Sequence, residues 1–192
     1  VRTASVLFGD LRGFTAFAER TAPRELVRTL NEFFTTMTAW ARDCDGFVDK
    51  FIGDGFLVVF GLFAEDAAGG PARGAAAAVR CALGMRARLA RLNDVRIARG
   101  EPALAMKIGV HTGPVVAGTI GAADRHEFTV VGDTVNVAAR LEELCREHGC
   151  IVSGTTWDLA RVGGATLPEV DPDAVALRGR DGPVRVYRVG GG

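Results

Sequence analysis

Asp10 closes the apolar run ASVLFGD (residues 4–10), and Asp54 sits at the Gly-Asp-Gly tip of DGFVDKFIGDGFLVVFG (residues 45–61). Taken singly, each has an ordinary explanation. Asp-Gly is a strong turn signal, and an Asp at the end of a strand can cap a following helix. Taken together, two carboxylates at adjacent strand ends, each beside glycine, make a hard-oxygen site suited to Mg²⁺ or Mn²⁺. The stretch GDLRGFT then places Gly13, Phe14 and Thr15 in a strand-to-helix turn, where backbone N–H groups can cradle phosphate oxygens. Divalent metal beside a phosphate cradle points to nucleotide chemistry. The same hairpin raises a question, because Lys50 stands four residues before Asp54 among Phe, Val and Ile side chains.

A second cluster lies in VVGDTVNVAARLEE (residues 130–143). Asn136 and Arg140 are spaced i, i+4 and share one helix face. Such a pair is commonly just a solvated face. Here Val135, Val137 and two alanines make the surroundings apolar, which suits a solvated face poorly. His111 and His126 qualify as general bases by residue type alone, and structural roles suit both better. Cys145, His148 and Cys150 crowd together in CREHGC, but their spacing matches no common zinc pattern and a fourth ligand is lacking. With Cys44 and Cys81, these cysteines read as packing thiols of a reducing cytosol.

These residues need elements to hold them. Residues 4–10 read as a buried strand. A helix is expected from Pro23, with Glu25 favourable in its first turn and Leu26, Leu30, Phe33, Met37 and Trp40 forming its apolar stripe. The hairpin of residues 45–61 follows. After a Gly/Pro loop at AAGGPARG, Ala75, Val79, Leu83 and Leu89 recur at helical spacing, with Arg86 the polar exception. ALAMKIGVHTGPVVAGTIG reads as two strands joined across Thr112, Gly113 and Pro114, and HEFTVV (residues 126–131) as another. Asp133 is placed to cap a helix running to about His148, with Gly149 ending it. The tail reads as a strand at CIVS, a helical turn near Trp157, and two strands around LRGRDGPVRVYRV with RDGP as the turn. The order β-α-β-β-α-β, with further β and α, predicts an α+β fold: a ferredoxin-like sheet with helices on one side.

Composition bounds the function. The chain has 192 residues, enough for one substantial core. Lys and Arg number 23 and so do Asp and Glu, so bulk attraction to nucleic acid or to an anionic membrane is not expected. No apolar run reaches the roughly 20 residues that span a bilayer, and no signal peptide opens the chain. The abrupt start, without an initiator Met, reads as a domain cut from a longer parent. That parent could carry regulatory or membrane-attached segments.

VLFGDLRGFT, DKFIGDGF, KIGVHTGPVVAG and FTVVGDTVNVAARLE, in this order and spacing, resemble the catalytic domain of the class III nucleotidyl cyclases. The resemblance covers nearly all of residues 1–192. It implies that Asp10 and Asp54, helped by the Leu11 carbonyl, bind two divalent ions, Mg²⁺ or Mn²⁺. It also implies that Lys50 and Thr129 read the purine, that Asn136 and Arg140 stabilise the transition state, and that Arg178 holds the terminal phosphates. Arg178 stands where the family commonly has Lys, and a guanidinium clamps phosphate in a different geometry. Thr129 stands where many animal adenylyl cyclases carry Asp; Lys with Thr resembles the bacterial and soluble adenylyl cyclase subgroup. Some members of that subgroup respond to bicarbonate, an effector the resemblance suggests here.

The implied reaction is attack of the ribose 3′-oxygen of ATP on its α-phosphorus, giving 3′,5′-cyclic AMP and pyrophosphate in the cytoplasm. In the family the domains pair head to tail as dimers, with sites between the chains. Lys50 and Asp54 would then serve different sites. Lys50 can only donate, to adenine N1, while a Thr129 hydroxyl can accept from the exocyclic amine. A guanylyl or mixed-specificity cyclase is the near alternative, and Lys50 weighs against it. A diguanylate cyclase would need a Gly-Gly-(Asp/Glu)-Glu-Phe signature that the sequence lacks. A degenerate domain that only dimerises or binds nucleotide should have lost one of the metal or transition-state residues.

Overall fold

Alternation along the first strand, β1 (Arg2–Leu11), sorts the chain onto two faces. Leu7 and Leu11 point into the larger core, while Ala4 and Val6 point into a smaller one on the opposite side. The computed structural model describes residues 1–63, 70–122, 124–145, 149–180 and 182–190. Over these, the order continues α1 (Phe14–Ala18), α2 (Pro23–Asp43), β2 (Phe47–Ile52), β3 (Gly55–Phe60), α3 (Gly70–Ala98), β4 (Met106–Ala122) and β5 (Arg125–Val131). It ends with α4 (Asp133–Glu143), β6 (Gly149–Ser153), α5 (Gly154–Val162), β7 (Pro172–Ala176) and β8 (Pro183–Val189). The sheet has eight strands in the order β2-β3-β1-β4-β6-β8-β7, with β5 hydrogen-bonded to the far half of β4. The α+β class and the hairpin of residues 45–61 are as the sequence predicts.

Helix α2 begins at Pro23 with Glu25 in its first turn, and it buries Phe33 and Met37. Helix α3 buries Ala75, Val79 and Leu89 and leaves Arg86 exposed. Both pack with Trp157 of α5 on the face that holds Leu7, Phe56 and Ile108. Helix α4 does not join them. Its Ala138 packs with Val6 and Leu57, and its Val137 and Leu141 with Ile151 and Val186. Helices therefore cover both faces, contrary to the one-sided expectation. The enabling residue is Gly109, where any Cβ would collide with the Ala138 carbonyl and the Glu142 amide. Helix α4 thus rests directly on the β4 backbone.

Several boundaries differ from expectation. Residues 106–122 form one strand rather than two, because Thr112, Gly113 and Pro114 stay in register with Ser5, Ala4 and Thr3. Pro114 is tolerated there because the pairing of β4 with β6 has already ended at Val110. Helix α3 starts at Gly70, inside the expected loop, with Pro71 in its first turn; the start of that loop lies outside the described residues. Gly132, not Asp133, occupies the N-cap position of α4, and Asp133 is its first helical residue, paired with Arg180. The same helix stops at Glu143, and Gly149 opens β6 instead of ending the helix. In the tail, the first strand precedes LRGRDG instead of including it. Among the described residues, no helix is long and apolar enough to cross a membrane.

Candidate active site

The antiparallel register sets Asp10 opposite Gly55, so the end of β1 meets the tip of the β2–β3 hairpin. Gly53, at φ 61°, makes the left-handed turn at that tip. Asp54, half-buried, comes beside Asp10. Its carboxyl is pushed up from the usual carboxylate range, first by burial and then by the negative charge of Asp10. Two carboxylates that repel each other at the end of a sheet are a donor set for a hard divalent cation, so the residues fit the implied metal. Leu11 is buried, pairs with Met106 and leads into the turn of Gly13, which precedes α1. Phe14 packs against the larger core and Thr15 is exposed. The first N–H groups of α1, including those of Phe14 and Thr15, have no partner within the helix.

Lys107 and Glu142 join this cluster, and nothing about their spacing marks them in the sequence. Lys107 Nζ lies 3.5 Å from Asp10 Oδ2 and 2.6 Å from Glu142 Oε1. Burial opposes the charge on Lys107, but Glu142 and Asp10 outweigh it and hold the ammonium above its ordinary range. Pairing across the sheet would have been the signal, since Asp10 and Lys107 are direct neighbours on β1 and β4.

Asn136 and Arg140 project from α4 on a different side. Together with Arg178 they line a cleft of about 550 Å³. Arg140 Nη1 donates to the Arg178 carbonyl, so α4 and the β7–β8 connection are tied at this point. Asn136 is exposed and Val135 half-buried, while Val137 points into the core. The helix face carrying this pair is thus neither fully solvated nor fully packed.

Lys50 and Thr129 come from β2 and β5, and they meet at a residue the sequence reading passed over. The ladder between β2 and β3 slips between Val48 and Lys50, leaving Asp49 as an extra residue. The Asp49 side chain is 0% exposed. Thr129 Oγ1 donates to Asp49 Oδ2 at 2.8 Å, and Lys50 Nζ lies 3.7 Å from the same oxygen. Burial raises the Asp49 carboxyl above its usual range, against the pull of Thr129 and Lys50. Glu127 Oε2 is also 3.7 Å from Lys50 Nζ. Neither carboxylate is at hydrogen-bond distance, so the ammonium keeps its donors. Lys50 and Asp54 are not an ion pair; Lys50 faces Asp49 and Glu127, and Asp54 faces Asp10.

The described residues therefore form three groups: the carboxylate end, the α4 cleft, and the Lys50–Asp49–Thr129 set. Among them no hydrogen bond or ion pair joins Asp10 or Asp54 directly to Asn136, Arg140, Arg178, Lys50 or Thr129; the Lys107–Glu142 pair ties the carboxylate end to the body of α4. His111 is largely buried. Its Nδ1 lies 2.8 Å from Ser153 Oγ, and burial followed by the charge of Arg180 lowers its pKa to about 4. His126 is exposed on β5. Cys44, Cys81, Cys145 and Cys150 are buried thiols outside any disulfide, and His148 lies outside the described residues.

The adenylate and guanylate cyclase catalytic domain matches residues 1–190. An adenylate cyclase of Anabaena cylindrica is 33% identical over 98% of this chain, which spans 37% of that protein. Adenylate cyclase 1 of Rhizobium meliloti is 36% identical over 77% of the chain, which spans 22% of that protein. The structure of the guanylyl cyclase Cya2 superposes with a TM-score of 0.87 at 33% identity, covering 98% of this chain and 91% of that one. The adenylyl cyclase CyaB from P. aeruginosa superposes with the same TM-score, 0.87, at 29% identity, covering 100% and 95%. This chain belongs to the adenylate and guanylate cyclase catalytic domain family.

Proposed function

We propose that this domain is an adenylyl cyclase that converts ATP to 3′,5′-cyclic AMP and pyrophosphate, acting as a head-to-tail homodimer. The fold does not decide the base, since a guanylyl and an adenylyl cyclase superpose on it equally well, at a TM-score of 0.87. The observation that carries the reading is the meeting of Lys50 and Thr129 at one oxygen, Asp49 Oδ2. Lys50 supplies a donor that suits adenine N1. The Thr129 hydroxyl, which donates its hydrogen bond to Asp49, offers lone pairs that suit the exocyclic amine. Guanine presents the reverse pattern, O6 accepting and N1–H donating.

Asp10 and Asp54, with the Leu11 carbonyl, would hold two ions, Mg²⁺ or Mn²⁺. When bound, such ions favour the deprotonated 3′-oxygen and offset phosphate charge. The chain's own groups do the rest. Backbone N–H groups around Gly13, Phe14 and Thr15 hold phosphate oxygens, and Arg178 holds the terminal phosphates. Asn136 orients the ribose for in-line attack, and Arg140 offsets charge growing on the α-phosphoryl oxygens.

Two observations favour a site shared between copies. Among the described residues, no hydrogen bond or ion pair joins Asp10 or Asp54 directly to Lys50, Thr129, Asn136, Arg140 or Arg178, although Lys107 and Glu142 tie that end of the sheet to α4. Phe63, Val116, Ile120, Phe128 and Val131 are also exposed, a set of apolar side chains suited to burial by a second copy. Purified protein with ATP and Mn²⁺ should yield cyclic AMP, and Asp54→Ala should abolish it while leaving the fold intact by circular dichroism. Absence of product from the folded wild-type protein would contradict the reading. So would substantial product from Asp54→Ala at saturating Mn²⁺.

A further inference from the structure

A fully buried carboxylate on an edge strand is costly. An apolar residue of similar volume at position 49 would spare the desolvation of a charge. The Asp49 carboxylate is not compensated by a network either. Oδ2 accepts one hydrogen bond, from Thr129, and Oδ1 is buried without a partner. The slip in the β2–β3 ladder makes Asp49 a bulge residue beside Lys50, which re-aims its side chain toward β5. Phe47 and Phe128, with ring centroids 5.8 Å apart, hold β2 and β5 together next to this contact. The backbone irregularity, the burial and the single hydrogen bond all converge on one hydroxyl.

We propose that Asp49 is the positioning residue that fixes purine selectivity, by accepting the hydrogen bond that Thr129 can donate and so committing its hydroxyl to accept from the base. The inference rests on the adenylyl cyclase reading and adds to it. A free Thr hydroxyl is ambivalent: it can accept from the amine of adenine or donate to O6 of guanine with equal ease. With its O–H directed at Asp49 Oδ2, only lone pairs face the base. The charge of Lys50, 3.7 Å away, favours the ionised, accepting form of Asp49. Selectivity then depends on three residues, one of which never touches the substrate.

The test compares kcat/KM for ATP and GTP, with Mn²⁺, in wild type, Asp49→Ala, Asp49→Asn, Thr129→Val and the double variant Asp49→Ala/Thr129→Val. Asp49→Ala should lower the ATP:GTP ratio roughly tenfold or more, because the hydroxyl regains its freedom to donate. Most of the loss should be in KM for ATP with the Mn²⁺ dependence unmoved, as expected for a defect at the base. Asp49→Asn, whose amide oxygen still accepts from Thr129, should keep the ratio within about threefold, and Asp49→Leu, which fills the buried position but cannot accept, replaces the alanine variant where that fails to fold. In the Thr129→Val background, Asp49→Ala should leave the ratio unchanged. An equal loss of activity toward both nucleotides, or a drop in the ratio that persists without the Thr129 hydroxyl, would overturn the proposal. A wild-type enzyme that makes cyclic AMP and prefers ATP, but whose preference survives Asp49→Ala, would overturn this inference alone. A wild type without ATP preference would overturn the adenylyl reading with it.

Discussion

Lys107 Nζ lies 2.6 Å from Glu142 Oε1, an ion pair that fastens α4 to β4 beside the Asp10 carboxylate. The side chains are 21% and 10% exposed, so this pair is largely shielded from water. It connects the carboxylate end of the sheet to the helix that carries Asn136 and Arg140.

Removing one partner should therefore cost more than removing both. Lys107→Ala leaves the Glu142 carboxylate buried without its cation, a loss on the order of 3 kcal/mol. Urea denaturation of Lys107→Ala, Glu142→Ala and the double variant should show the double as no less stable than Lys107→Ala. Strictly additive losses would mean that the pair contributes nothing beyond its separate side chains.

Exchanging the donor at position 50 for an acceptor should erode the base preference. Lys50→Glu exchanges a donor for an acceptor, and ATP over GTP discrimination should fall by about 2 kcal/mol, roughly thirtyfold. Because the substitution also faces Asp49 and Glu127, the uncharged Lys50→Gln measured beside it should fall between the two. An unchanged ATP preference in both variants would remove Lys50 from base recognition.

Acid should destabilise the domain through His111. The ring sits at one end of a buried chain of hydroxyls: Ser153, Thr156, Thr112 and Ser5 are linked at 2.7–2.9 Å. Its pKa falls from 6.5 to about 4 on folding, so the neutral ring is the native form. A depressed folded pKa gives stability that is present above the unfolded value and lost as pH drops toward the folded one. The wild type should thus lose on the order of 3 kcal/mol between about pH 6.5 and 4 through this group. His111→Gln should lack that part of the pH dependence, read as the difference between the two denaturation profiles. Parallel profiles would contradict the assignment.

What could be read from the sequence was whatever is local. The apolar stripe from Leu26 to Trp40 and the i, i+4 pair of Asn136 and Arg140 each sit within one helix, and the Gly-Asp-Gly tip around Asp54 within one hairpin. The structure places them where their spacing implies. The side of the sheet that α4 takes was not legible, because it turns on Gly109, one of many glycines, lacking a Cβ where the helix must pass. Continuity of β4 through Gly113 and Pro114 was hidden for a related reason. Those residues signal a turn locally, and only their pairing with β1 overrides it. Asp49 went unremarked because its partner Thr129 is 80 residues away and because strict alternation would send it away from Lys50. A bulge is invisible to a two-residue period.

In the proposed homodimer each site is shared between two copies of the chain. Asp54→Ala and Arg140→Ala should each be inactive alone, since every site then lacks a metal ligand or a transition-state group. When the two inactive proteins are mixed and exchange subunits, one site of each mixed dimer carries both defects. The other carries Asp10 and Asp54 from the Arg140→Ala chain, with Lys50, Asn136 and Arg140 from its partner. Random exchange makes half the dimers mixed, so about a quarter of wild-type activity should return. With subunit exchange shown independently by mass-labelled chains, no recovery of cyclic AMP production would contradict the shared site and place all the chemistry within single chains.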